Sequence, residues 1–160
     1  MILVDSHAHL YESFPMAETF DAAWSNFASA AAAVGTQKQY QAVMLVAATG
    51  ADSLRNRLLM ASCRRWSIAK TAEASSLVAR RGETGEIHLI LGLQTVCAEG
   101  LEILCFAAPC RIRRGGPARD LLREIASAGG IAIIPWGFGK WTGNRKATLM
   151  QLMQIGRAHV

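Results

Sequence analysis

The sequence predicts an α/β fold: a largely parallel sheet or incomplete barrel, with an antiparallel meander inserted in the middle. Three observations carry this expectation. Apolar strand-like runs alternate with helical patterns at both ends of the chain, at residues 2–5, 40–48 and 131–134. Four short strand candidates separated by turn signals fill the middle. The chain has 160 residues, whereas a complete eight-fold barrel needs about 250, so a barrel here would be incomplete.

In order, Ile2-Leu3-Val4-Asp5 reads as a first buried strand, followed by a loop with Tyr11, Glu12 and Pro15. Residues 17–34 repeat Phe20, Trp24, Phe27 and Ala31 at helical spacing, and Gly35 ends the run. Residues 40–48 are nearly all apolar and read as a second buried strand. Asp52 or Ser53 is placed to cap a helix from Leu54 to about Arg65. Strand candidates follow at 66–70, 76–80, 86–94 and 101–107, with turns at 82–85 and 98–100. Residues 117–128 form a helix closed by Gly129-Gly130, residues 131–134 a buried strand, and a last helix begins near Lys146. Met60, Met150 and Met153 fall at helix core positions.

Composition narrows the class. Hydrophobic residues make up 51% and charged residues 18%, which excludes a disordered chain and describes a soluble domain. Neither a membrane span nor a secretory leader is expected, because Asp5 and His7 interrupt the first apolar run. Cys63, Cys97, Cys105 and Cys110 lack C-x-x-C spacing and read as reduced thiols of a cytoplasmic protein. The net charge of +5 is scattered without interleaved aromatics. That pattern fits solvated surface, or the rim of a site for an anionic substrate, better than a nucleic-acid platform. Residues 1–154 are read as one domain. Residues 155–160, Ile-Gly-Arg-Ala-His-Val, match the translation of a common sequencing adapter and are expected to be a non-native tail on a truncated chain.

The chemistry concentrates in Asp5-Ser6-His7-Ala8-His9. Side chains alternate along a strand, so His7 and His9 point the same way; neutral imidazole is the commonest metal ligand, and the competing reading is a pair of histidines hydrogen-bonded in a polar strand end. Asp5 is a metal ligand, an acceptor orienting an imidazole, or the head of an Asx turn. A second concentration is Pro135-Trp136-Gly137-Phe138-Gly139-Lys140-Trp141, continuing to Asn144 and Arg145. Glycines that admit backbone N–H groups, with nearby cations, suit phosphate or carboxylate recognition; the competing reading is a structural turn capped by the tryptophans. Cys97 is a minor nucleophile candidate. His88 reads as solvent-facing and Glu99 as a surface residue.

The Asp-x-His-x-His motif resembles the amidohydrolase-like metal-dependent hydrolases, and more closely the polymerase and histidinol phosphatase (PHP) family. Gly92-Leu93-Gln94 is similar to that family's Gly-x-Glu, Leu101 to Phe106 to its Leu-His-Ile-Leu-Gly-Tyr strand, and Ile133-Ile134-Pro135 to its Ala-His-Pro. Pro-Trp-Gly-x-Gly-Lys-Trp is similar to the hallmark of one PHP-like subgroup. The resemblance implies a distorted (β/α)7 barrel and phosphoester cleavage at a divalent metal such as zinc, manganese or iron. Gln94, Glu102 and Ile134 stand where the family has ligands, so the resemblance implies a single ion on His7 and His9, with Glu102 as a further candidate ligand. Asp5 and Glu102 are then the catalytic candidates. Gln94, Trp136, Gly137, Gly139, Lys140 and Arg145 are the candidates for an anionic small-molecule substrate. The alternative is a degenerate barrel that binds an anionic metabolite or a protein partner without catalysis.

Overall fold

The computed structural model describes residues 1–36, 40–61, 63, 65–83, 85–108, 112 and 114–157. Its elements are β1 (Ile2–Ala8), α1 (Met16–Ala33), β2 (Gln41–Ala48), α2 (Ala51–Met60), β3 (Ser67–Lys70), β4 (Ser76–Arg81), β5 (Gly85–Val96), β6 (Glu102–Phe106), α3 (Ala118–Ser127), β7 (Ile131–Ile133) and α4 (Asn144–Arg157). The expected tail divides: residues 155–157 continue α4, and 158–160, with Cys110, lie outside the described residues.

The barrel expectation is overturned. Among the described residues the seven strands form an open mixed sheet, β1-β2-β5-β4-β3, with β6 beside β5 and β7 beside β6. β1 and β2 are parallel. In contrast, β3 with β4, β4 with β5, and β6 with β7 are antiparallel. A parallel barrel needs a helical crossover between successive strands, and short hairpin connections between β3, β4 and β5 forbid it.

The chain divides into two compact units, Met1–Gly92 and Leu93–Val160. In the first unit, Phe20 and Phe27 of α1 and Leu54 and Leu58 of α2 pack on Ala42, Met44 and Val46 of β2 and on Ile87, Leu89 and Leu91 of β5. Burying each such large side chain contributes about 1.5–3 kcal/mol. Trp66 is buried against Phe20 and Trp24, and its indole N–H donates to Asp21 Oδ1 at 3.0 Å. Asp21 also meets Arg81 at 3.2 Å, which ties α1 to the end of β4.

The buried-strand reading of residues 2–5 is corrected. Among the described residues β1 pairs only with β2, and Ile2 and Val4 are exposed. An apolar run shows that a strand forms, not how many neighbours cover it. The same correction applies to β7, where Ile131 is exposed. The predicted caps Asp52 and Ser53 lie inside α2, whose N-cap is Gly50. Met60, Met150 and Met153 face solvent rather than the core.

In the second unit, Leu121 and Ile125 of α3 pack on Ile103 and Cys105 of β6, with Leu149 of α4 in the same cluster. Cys105 is disulfide-bonded, contrary to the reduced-thiol expectation, whereas Cys63 and Cys97 are free thiols. The Gly129-Gly130 stop behaves as expected. Gly129, at φ +73°, donates to Ala126 at 3.0 Å and Gly130 to Ile125 at 2.9 Å, the paired bonds of a Schellman cap. A Cβ on Gly130 would stand 2.9 Å from Ala108 Cβ and 3.1 Å from the Phe106 carbonyl, so close packing requires glycine there. No described helix is long and apolar enough to cross a membrane.

Candidate functional site

In the first unit, β1 delivers His7 and His9 to one place. Asp5 pairs with Met44 and Ala8 with Val46, so β1 carries one extra residue at a bulge over Ser6 and His7. Such bulges re-aim side chains at strand ends. His7 Nε2 lies 3.0 Å from His9 Nε2, and the rings meet edge to face with centroids 4.8 Å apart.

His9 Nδ1 lies 2.9 Å from the carbonyl of Ala47 on β2. A carbonyl only accepts, so Nδ1 carries the proton and neutral His9 presents an unprotonated Nε2 toward His7. This is the tautomer used when Nε2 binds a metal and Nδ1–H is held by a backbone oxygen. Two imidazole nitrogens on one tetrahedral zinc, each at ~2.0–2.1 Å, lie about 3.3 Å apart. The observed gap is 3.0 Å, so a small opening of the pair would admit an ion. Asp5 takes the Asx-turn role: its Oδ1 accepts from the His7 backbone N–H at 3.2 Å.

Two further residues of this unit escaped sequence reasoning. The Tyr11 ring lies 5.7 Å from that of His9. Tyr11 also lines a cavity of about 350 Å³ with Leu10, Phe14, Met16 and Arg57. Arg57 donates to Glu12 Oε1 at 2.8 Å and to the Leu10 carbonyl at 2.6 Å. The only sequence signal for Arg57 was its place in a helix following a buried strand.

The second unit gathers a different set. Gln94 Nε2 and Lys140 Nζ both donate to the carboxylate of half-buried Glu102. Glu102 therefore sits between an amide and an ammonium. Lys140 is steered there by its loop: its backbone N–H donates to the Gly137 carbonyl at 3.0 Å, and a Cβ on Gly137 would meet Lys140 Cδ at 2.8 Å. Gly137 thus makes room for a lysine stem. Gly139, at φ +75°, turns the loop so that its carbonyl accepts from Arg145 at 3.0 Å. Trp136 and Phe138 are exposed, and half-buried Trp141 packs on the core, with Ile134 beside it.

Two further readings are revised. Glu99 is more than a surface residue: its Oε2 accepts from the Ala118 N–H at 2.9 Å, at the first turn of α3. Burial alone would raise the Glu99 carboxyl, but hydrogen bonds from Ala118, from the Cys97 thiol and from its own backbone outweigh this and lower its pKa. Cys97 is a poor nucleophile, because burial, and then its bond to Glu99, push the thiol up. His88 reaches Glu86 at 2.9 Å.

Among the described residues no three His, Cys, Asp or Glu side chains gather as a metal-binding group. No family model, curated protein or solved structure matches the chain.

Proposed function

We propose that the chain is a metal-dependent hydrolase of anionic small molecules, most nearly a phosphoesterase, with one divalent cation held by His7 and His9. The observation that supports this reading is the 3.0 Å approach of the two Nε2 atoms, with the His9 tautomer set by the Ala47 carbonyl. The Asp-x-His-x-His likeness to PHP-type hydrolases points the same way. When bound, a zinc, manganese or iron ion there would acidify a coordinated water and polarise the scissile group. His9 would hold its orientation through Nδ1–H, and two nitrogens would leave coordination positions open.

The cavity beside Tyr11 suits the substrate. Glu12, the carboxylate partner of Arg57, is 81% exposed. Such surface pairs contribute about 0–1 kcal/mol, so a substrate anion can take the place of Glu12 on Arg57. The free thiols of Cys63 and Cys97 favour the cytoplasm as the setting, and the Cys105 disulfide opposes it.

A screen of phosphomonoesters and phosphodiesters with Mn²⁺ or Zn²⁺ tests the reading. Turnover that requires added metal and falls at least a hundredfold in His7→Ala/His9→Ala is the expected result. Metal binding without turnover on any ester would favour the second reading, binding of an anionic metabolite or protein partner without catalysis. Gln94 and Ile134, which supply neither carboxylate nor imidazole, are the residues on its side.

A further inference from the structure

A cavity of about 190 Å³ in the second unit plays no part in the His7–His9 reading. Val96, Leu101, Ile134, Pro135 and Trp141 give it apolar walls, and Glu102, Lys140 and Arg145 supply its charge. Lys140 is already paired with Glu102, so those two charges cancel. Arg145 gives one N–H to the Gly139 carbonyl, which leaves its positive charge uncompensated, and among the described residues no carboxylate pairs with it. The indole N–H of Trp141 is buried and has no acceptor among the described residues.

We propose that this cavity binds a small organic monocarboxylate with an apolar body. One uncompensated cation matches one negative charge. A doubly charged phosphate would need a second cation, and Lys140 is committed to Glu102. The guanidinium fork matches a carboxylate in shape. The apolar walls would take up a hydrocarbon body that inorganic anions lack. The volume of 190 Å³ equals the liquid share of about six waters. That is well under the roughly 300 Å³ of the smaller drug-sized sites, so the ligand has on the order of ten heavy atoms or fewer. This inference stands whether or not His7 and His9 hold a cation.

Titration calorimetry and saturation-transfer NMR on the full chain, with benzoate as probe, test it. Benzoate is expected to bind, with neutral benzamide and inorganic phosphate each at least about tenfold weaker, a difference of roughly 1.4 kcal/mol. Arg145→Gln should lose at least tenfold for benzoate, with its fold checked by circular dichroism. Val96→Phe narrows the cavity from a position that is 55% exposed, so it should fold normally and also weaken binding. His7→Ala/His9→Ala should bind benzoate as the wild type does. Equal binding of benzoate and benzamide, tighter binding of phosphate, full affinity in folded Arg145→Gln or in Val96→Phe, or no binding of benzoate would each overturn the proposal.

Discussion

His7 Nε2 and His9 Nε2 face each other across 3.0 Å, with His7 near the end of β1 and His9 just past it, only Ala8 between them. The β1 bulge brings the rings together, and the Ala47 carbonyl sets the protonation of His9. With His9 Nε2 unprotonated, His7 Nε2–H is the donor of the short contact when both rings are neutral. Long-range ¹⁵N–¹H correlation spectra at neutral pH should therefore show the Nδ1–H tautomer for His9 and the Nε2–H tautomer for His7. Finding His9 as the Nε2–H tautomer would remove the preset donor.

Glu99 ties the β5–β6 turn to the start of α3 through the Ala118 N–H. Glu99→Ala should cost about 0.5–2 kcal/mol in urea unfolding at pH 7, as removal of other helix caps does. The folded carboxyl is held below its ordinary value of 4.5. Its contribution is therefore fully present above the unfolded-state pKa and is lost as pH falls through the lower folded value. The gap between wild type and Glu99→Ala should be constant from pH 7 down to about pH 5 and shrink in stronger acid. A gap that widened in acid would refute this assignment.

Gly130 has Ala108, Ile125 and the Phe106 carbonyl within 2.9–3.1 Å of any added Cβ. Gly130→Ala should destabilise by about 1–3 kcal/mol through overpacking, read as a lower urea midpoint with unchanged slope. Gly82→Ala has open space at its Cβ and is the control for positive-φ strain alone, at φ +55°. A smaller loss at Gly130 than at Gly82 would mean that the end of β6 and α3 yield easily.

Much of the secondary structure was legible because it is locally determined. Phe20, Phe27 and Gly35 mark α1, and Leu121, Ile125 and Gly129-Gly130 mark α3, within one element each. The four central strands were legible from their turns. Sheet closure was not, because pairing of β1 or β7 with a distant strand leaves no local trace. Ile2-Leu3-Val4 reads the same in an edge strand as in a central one. At the site, the spacing of His7 and His9 pointed to a shared side, whereas the bulge that brings their rings together left no local trace. Glu99 and Arg57 were missed because their partners, Ala118 and Glu12, lie 19 and 45 residues away. The loop glycines were expected to present N–H groups to an anion, but Gly137 instead accommodates the Lys140 side chain.

Cys97 is buried and its thiol is pushed up by that burial and by Glu99. It should react with a disulfide reagent much more slowly than half-buried Cys63 at pH 8, and alkylation of the native protein should leave any esterase activity in place. Rapid modification of Cys97, with loss of activity, would restore it as a nucleophile.

The most direct measurement is calorimetric titration of the metal-free protein with Zn²⁺ at neutral pH, for the wild type and His7→Ala/His9→Ala. One ion per chain should bind to the wild type with proton release, weaken as the pH is lowered, and be lost in the double variant. Equal stoichiometry and affinity in the two proteins would contradict a cation held by His7 and His9.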